Sequence, residues 1–435
     1  RAVGTVVTNL TGGSIIGDSD DGVRLIGGGT VTNAGIIEGR TGPLADGVSM
    51  FALEGQDLSG QPTIGTIINQ TGGTIFGNRF GIILSGGGYI NNSGSVRGIA
   101  GGVLIQSALA AGNYSGTLIN SGTIENGVRF NPGLVANVNN SGTISIDSPS
   151  VAALESLAKI NVLNTGTISS TGSHAIRFGS FDDRLTLGLG SQIIGLSDGG
   201  AGIDTLALDS GVGTEQSLGS FQNFTNFEML EVLSGTWSAD GDSSAFTTIS
   251  MLGGNLRFAG PLNPNAVIDL GGGTLDLSGG VDSIIAGLSG DASSSLLLGD
   301  TNLTVRQDSD TTYAGILSGT GSLIKDGDGR LNLTGTNTYT GPTIVSGGTL
   351  AVNGSITSPV TIQSGATLGG TGTTGTVTIE AGGTFAPGNS IGTINVAGTL
   401  RFAKGSSYLV EANAAGQSDR INVNGRAVID RNVVV

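Results

Sequence analysis

Asn120-Ser121-Gly122-Thr123-Ile124, Asn140-Ser141-Gly142-Thr143-Ile144 and Asn164-Thr165-Gly166-Thr167-Ile168 are three copies of one phrase. Related copies stand at Asn33-Ala34-Gly35-Ile36-Ile37 and Asn92-Ser93-Gly94-Ser95-Val96, with longer ones from Asn9 to Ile15 and from Asn69 to Ile75. Successive asparagines lie 24, 36, 23, 28, 20 and 24 residues apart. A recurrence of this length marks a solenoid or array. In each period one short strand ends at the Asn, as in Thr117-Leu118-Ile119-Asn120. A second follows the glycine (Thr123-Ile124-Glu125), and a third follows a variable loop (Gly81-Ile82-Ile83-Leu84, Gly127-Val128-Arg129-Phe130). The Asn-x-Gly is expected to turn the chain because both residues tolerate positive φ. One turn cannot bury its own apolar face, whereas turns stacked about 4.8 Å apart can. The pattern predicts an all-β fold, a right-handed parallel β-helix, with Asn92, Asn120, Asn140 and Asn164 at equivalent corners.

Composition agrees with this. Of 435 residues 80 are glycine, well over the usual share of about 7%, while only 12% are charged. Glycine weakens helices and the strong helix formers are scarce, so a helical protein is excluded. Collagen is excluded by 9 prolines and the lack of a strict Gly-X-Y period. The net charge of −15, with 18 scattered basic residues, argues against nucleic acid as a partner. With no cysteine and one histidine, thiol chemistry and zinc sites are ruled out or nearly so. No apolar run approaches 18 residues; the longest candidate, from Gly102 to Ala111, is short and interrupted, so no spanning helix is expected. The chain opens at Arg1 without a signal-like segment and is read as a mature or excised fragment.

Beyond residue 250 the phrase becomes Gly-(Gly/Ala)-(Thr/Asn)-(Leu/Phe), at Gly253-Gly254-Asn255-Leu256, Gly272-Gly273-Thr274-Leu275, Gly347-Gly348-Thr349-Leu350, Gly365-Ala366-Thr367-Leu368 and Gly382-Gly383-Thr384-Phe385, with the variant Ala397-Gly398-Thr399-Leu400. The spacings are 19, 75, 18, 17 and 15, and 75 is close to four steps of 19. Turns of roughly 20–28 residues are thus expected to shorten to roughly 15–19, about seventeen turns in all. Four regions follow: N-terminal turns over 1–180, a transition over 181–250, shorter turns over 251–317, and a C-terminal segment over 318–435. The stretch from Val151 to Lys159 has a helical pattern but also fits a strand. Gly55-Gln56-Asp57-Leu58-Ser59-Gly60-Gln61-Pro62 reads as a polar insertion between turns.

Residues 318–355 carry a more specific text: Ser318-Gly319-Thr320-Gly321-Ser322-Leu323-Ile324-Lys325, then Asn337-Thr338-Tyr339-Thr340-Gly341, then Gly347-Gly348-Thr349-Leu350-Ala351-Val352-Asn353-Gly354. This resembles the passenger-associated transport repeat of autotransporters, the type V secretion family. Phe385-Ala386-Pro387-Gly388-Asn389-Ser390 and Ser418-Asp419-Arg420-Ile421-Asn422-Val423 resemble the autochaperone-like segment before that family's translocator barrel. The stretch from Phe181 to Leu206 is similar to such passengers more loosely. The resemblance implies export, passage through a C-terminal β-barrel, and display at or release from the surface of a Gram-negative bacterium. Neither a signal peptide nor a barrel is recognisable, and the chain stops in Val433-Val434-Val435.

A search for chemistry assigns no catalytic, cofactor-binding or metal residue. His174 is the only imidazole and sits in a strand-like run, so it is read as structural. Gly17-Asp18-Ser19-Asp20 resembles a nucleophile site only superficially. Gly199-Gly200-Ala201-Gly202-Ile203-Asp204-Thr205-Leu206-Ala207 fits a calcium nonapeptide, yet such sites are shared between copies and one copy is present. Asp18-Asp20-Asp21 and Asp326-Gly327-Asp328-Gly329 are incomplete calcium loops. The pairs Asp182/Asp183, with Arg184 nearby, and Asp308/Asp310 lack the surroundings of a sugar cleft. Trp237 is read as a plug of the core. Calcium independence is expected.

The leading expectation is a surface-displayed passenger acting as an adhesin or cell–cell aggregation factor, an extended β-helical rod whose ladders of Asn, Thr and Ser make weak multivalent contacts. Its partners would be a host or neighbouring cell surface, a polysaccharide, or another copy, without insertion into a membrane. The alternatives are a β-helical polysaccharide-active enzyme and a passive stalk for an effector domain upstream of Arg1.

Overall fold

The structure, a computed structural model, describes residues 4–51, 65–107 and 114–435. The insertion at 55–62 lies outside the described residues. The chain is an all-β parallel β-solenoid of about 18 turns. It divides into two units, residues 1–210 with 223–228 and residues 211–222 with 229–435.

In the first unit each turn as far as Ser156 lays down three strands, later turns run the second and third together in Thr167–Arg177 and Gln192–Asp198, and strands pair in parallel with their counterparts one turn on. One ladder runs Thr5–Asn9, Gly29–Asn33, Gly65–Asn69, Gly88–Asn92, Tyr114–Asn120, Leu134–Asn140, Lys159–Asn164, Arg184–Gly188 and Thr205–Asp209. Strict alternation is what fixes which side chains enter. In Gly65–Asn69 the first, third and fifth residues are buried and the two between are half-buried. Val31, Ile67, Ile90, Leu118, Val138, Val162, Leu185 and Leu206 form one column, none more than 3% exposed. Ile37, Ile75, Val96, Ile124, Ile144 and Ile168 form the column of the second ladder, all fully buried. Each such side chain contributes roughly 1.5–3 kcal/mol by leaving water.

The asparagines of the repeated phrase stack in register at equivalent corners. Their side chains turn inward: Asn33, Asn69, Asn92, Asn120, Asn140 and Asn164 are at most 1% exposed and Asn9 is 6% exposed. Each amide nitrogen donates to the amide oxygen one turn on, from Asn9 to Asn164, at 2.7–2.9 Å. The ladder is therefore an internal spine and offers no surface for contact. It stops where Leu187 occupies the next corner, and Asn164 instead donates to Ser191 Oγ at 2.7 Å.

The accompanying glycines serve a purpose other than the expected one. Gly35, Gly94, Gly122, Gly142 and Gly166 are absent from the positive-φ residues of the chain; only the longer copies use that conformation, at Gly12 and Gly72. What demands glycine is close stacking. A Cβ on Gly122 would fall less than 3.0 Å from the carbonyl oxygen of Gly94, and the same holds for Gly142 over Gly122 and Gly166 over Gly142. The stretch from Val151 to Lys159 holds no helix. Leu154–Ser156 is a strand of the third ladder, paired with Val128–Phe130.

The second unit repeats the plan with other side chains. Ten strands from Met229–Ser234 to Ser407–Tyr408 form its first ladder among the described residues. Turn length falls through 19, 18 and 17 residues (Arg330 to Thr349, Thr367 and Thr384) and returns to 23 at Ser407. The Gly-Gly-Thr-Leu phrase does not mark one corner. Asn255 and Thr274 open strands of the second ladder, Thr349, Thr367 and Thr384 open strands of the first, and Leu400 opens one of the third. The apparent step of 15 is thus a change of corner, because a tight glycine turn can lead into any strand. Tyr339, Leu350, Val352, Leu368, Phe385 and Leu400 all lie inside, none more than 4% exposed. Trp237 is core, 2% exposed, donating from its indole nitrogen to the Ser234 carbonyl at 2.9 Å.

Candidate functional site

Between Thr30 and Leu163 the outward positions of the first unit's first ladder include two uncharged rows, with Lys159 to one side and Arg184 on the next turn. One runs Thr30, Thr66, Tyr89, Thr117, Asn137 and Asn161; the other runs Thr32, Ile68, Asn91, Ile119, Asn139 and Leu163. All are half-buried or exposed and none carries a charge. In-register pairing fixes their spacing at the strand separation of about 4.8 Å. Asn161 reaches Asn137 at 3.5 Å, and between Thr117 and Leu163 the face is hollowed by a shallow depression of about 280 Å³. On a chain of net charge −15 this neutral strip is chemically distinct. Its Thr and Asn groups donate and accept hydrogen bonds, and its Ile, Leu and Tyr offer apolar area.

The acidic and histidine candidates are scattered through the fold. His174 is half-buried beside Arg177, its Nδ1 3.1 Å from the guanidinium. Asp18, Ser19 and Asp20 are exposed in a bend, where Asp20 and Asp18 lie 3.4 and 3.9 Å from Arg24 and Arg40. Asp21 enters the interior, holding Arg24 at 2.8 Å, the Asp46 amide at 2.8 Å and the Ser49 hydroxyl. Asp46 in turn is fully buried against Arg79, at 2.6 and 3.0 Å. Asp308 and Asp310 accept from the amides of Asp328 and Arg330 one turn on, and Asp326 pairs with Arg306 at 2.9 Å. These acids cap turns. Among the described residues no group of three or more His, Cys, Asp or Glu is arranged to hold a metal ion.

Two features escape a reading of the sequence. Lys325, in the column of Val305 and Val345, is fully buried, and its ammonium donates to the carbonyls of Asp326 and Gly327 at 2.7 and 2.8 Å. Burial holds its pKa below the usual lysine value, against the opposing pull of Asp326, Asp308, Asp328 and Asp310. The alternation Leu323-Ile324-Lys325 points it inward, but charge argues for the surface. The second feature is a column of acids. Asp183 accepts from the Ile160 amide at 2.8 Å, Asp204 from the Asp183 amide at 2.7 Å, and Glu228 from the Asp204 amide at 2.8 Å. Asp183 and Asp204 are 2% and 0% exposed, and the second carboxylate oxygen of each has no hydrogen-bond partner. Burial pushes the Asp183 carboxyl up to about 6. Burial, then repulsion from Asp183 and Glu228, pushes that of Asp204 up to about 7.

A smaller cleft lies in the second unit, about 170 Å³, lined by Arg330, Ala351, Gly369, Ala386 and Asn389 among others. The guanidinium of Arg330 donates to the Asn389 side chain.

Comparison with known proteins gives a family match that includes Arg330 and Ala351. Residues 323–352 match the Passenger-associated-transport-repeat family. A stretch of 130 residues, 27% of the chain, is 38% identical to the Adhesin BmaC autotransporter of Brucella suis biovar 1. Over 89 residues, 20% of its length, the chain is 38% identical to the Neisserial autotransporter lipoprotein NalP of Neisseria meningitidis serogroup B. The matches span only 3% and 8% of those relatives' lengths.

Proposed function

We propose, from the premise that the chain is an autotransporter passenger β-helix with a transport repeat at 323–352, that it works as an adhesin or aggregation factor on the bacterial surface. The observation that carries this is the in-register, uncharged double row from Thr30 to Leu163. Each position offers a weak contact, and repetition at fixed spacing converts weak contacts into avidity. The name of the Brucella relative, an adhesin, supports the same reading. A host or neighbouring-cell surface, including its polysaccharide, is the partner this chemistry suits, since a neutral strip lets an acidic protein approach an anionic cell. Display or secretion in a Gram-negative bacterium follows from membership among passengers.

The test uses beads coated with the purified chain. Thr66→Glu, Thr117→Glu and Asn161→Glu place negative charges two turns apart along one row, outside the core, where they repel an anionic cell surface. The triple variant is expected to melt as the parent does and to bind cells at least about tenfold more weakly at fixed ionic strength. Undiminished binding would remove this face from the argument. Release of reducing ends from a surface polysaccharide would favour the enzyme, and absence of any binding the stalk.

A further inference from the structure

The first unit buries carboxylates in two ways. Asp21 and Asp46 sit against Arg24 and Arg79, so the anion is neutralised where it is desolvated. Asp183 and Asp204 are stacked on consecutive turns; the amides of Ile160 and Gly179 favour the charged form of the first and the Asp183 amide that of the second, while one oxygen of each has no hydrogen-bond partner. The charged groups acting on them are Asp182 beside them, Lys159 on the preceding turn and Glu228 on the following one, so negative charge predominates. Two anions in a nearly dry column, each half unsatisfied, are costly. A proton removes the larger defect, because a neutral carboxyl is far less costly to bury than a carboxylate.

We infer that Asp183 and Asp204 form a proton-binding pair that closes turns 179–209 in acid and loosens them as pH rises. A divalent cation fits less well. Calcium takes six to eight oxygens, whereas one oxygen of each carboxylate is already committed to an amide. Both carboxyls hold protons more tightly folded than at their ordinary value of 3.8, in keeping with this assignment. The folded chain therefore binds more protons than the unfolded one between about pH 4 and pH 7, and stability falls through that window as pH rises. The two titrate as a coupled pair.

Hydrogen exchange on the full chain at about pH 5 and pH 8, corrected for intrinsic rates, tests this. Protection over 184–209 is expected to fall at least about tenfold relative to 123–146 on going to the higher pH. Asp204→Asn, which keeps the acceptor for the Asp183 amide, is expected to remove most of that difference. Infrared difference spectra of the unmodified chain give a readout that needs no variant: a buried protonated carboxyl band at about pH 6 that is lost at about pH 9. Equal protection at both pH values, a pH response unchanged in Asp204→Asn, or no such band would overturn the proposal. Recovery of protection at the higher pH by calcium, reversed by chelator, would replace the proton by a metal.

Discussion

Replacing Asn120 by alanine tests whether the internal amide ladder is one cooperative element. Asn120 accepts from Asn92 at 2.8 Å and donates to Asn140 at 2.7 Å, with further donation to the carbonyls of Thr143 and Gly122 at 3.2 and 3.3 Å. Alanine deprives the Asn140 carbonyl of its ladder donor in a fully buried site and costs Asn92 its best acceptor, though Asn92 keeps Gly94 and Thr123. An orphaned buried polar group costs about 1–3 kcal/mol, and an emptied corner adds to this, so about 3–5 kcal/mol is expected. Asn164→Ala removes an end member, whose donor goes to a half-buried serine that water can serve, and should cost about 1–2 kcal/mol. Local free energies come from hydrogen exchange of amides in Tyr114–Asn120 and Leu134–Asn140 on the full chain. A cost under about 1 kcal/mol for Asn120→Ala, or equal costs for the two variants, refutes the ladder as a structural spine.

Gly122→Ala forces a Cβ onto the Gly94 carbonyl and is expected to abolish pairing around that turn, whereas Gly72→Ala, at φ 83° in open space, costs about 1–2 kcal/mol; thermal melts with exchange mapping separate them. Leu350→Ala empties a fully buried site and should cost about 3–5 kcal/mol by denaturant titration, with the single Trp237 reporting on the second unit. Arg79→Met strands the buried Asp46 carboxylate and should cost about 3–5 kcal/mol at neutral pH by the same titration. We further propose that residues 318–435 are the most stable segment and template the rest; faster exchange there than over 65–180, or independent folding of a 1–310 truncation, counts against it.

The period of the phrases made the stacking legible, because one residue per turn at one corner is a linear property of the sequence. The inward direction of Asn33 or Asn69 was equally present in the alternation Thr-Val-Thr-Asn and Thr-Ile-Ile-Asn, yet polarity suggested a surface role. Glycine was correctly expected at the bend for a mistaken reason: crowding by the neighbouring turn is a contact between residues some 20–30 apart, which local preference does not reveal. The Asp183–Asp204 column was still less visible. It is assembled by hydrogen bonds from the Ile160 and Asp183 amides to Asp183 and Asp204, between residues 23 and 21 apart. The outward Thr and Asn rows follow directly from strand alternation once the register is known.

The glycine column also bears on how such a chain changes over time. From Asn9 to Asn164 each glycine answers to the one before it and each Asn hands its amide to the next, so one junction between those turns resembles another. A duplicated turn meets familiar neighbours on both sides, and a deleted one leaves two matching faces. Turns of 20 and of 36 residues coexist in this stack, and the amide ladder crosses both, at 2.7 and 2.9 Å. The number of turns, and with it the number of outward contacts, is thus a quantity that recombination can alter without any residue of the core having to be reinvented.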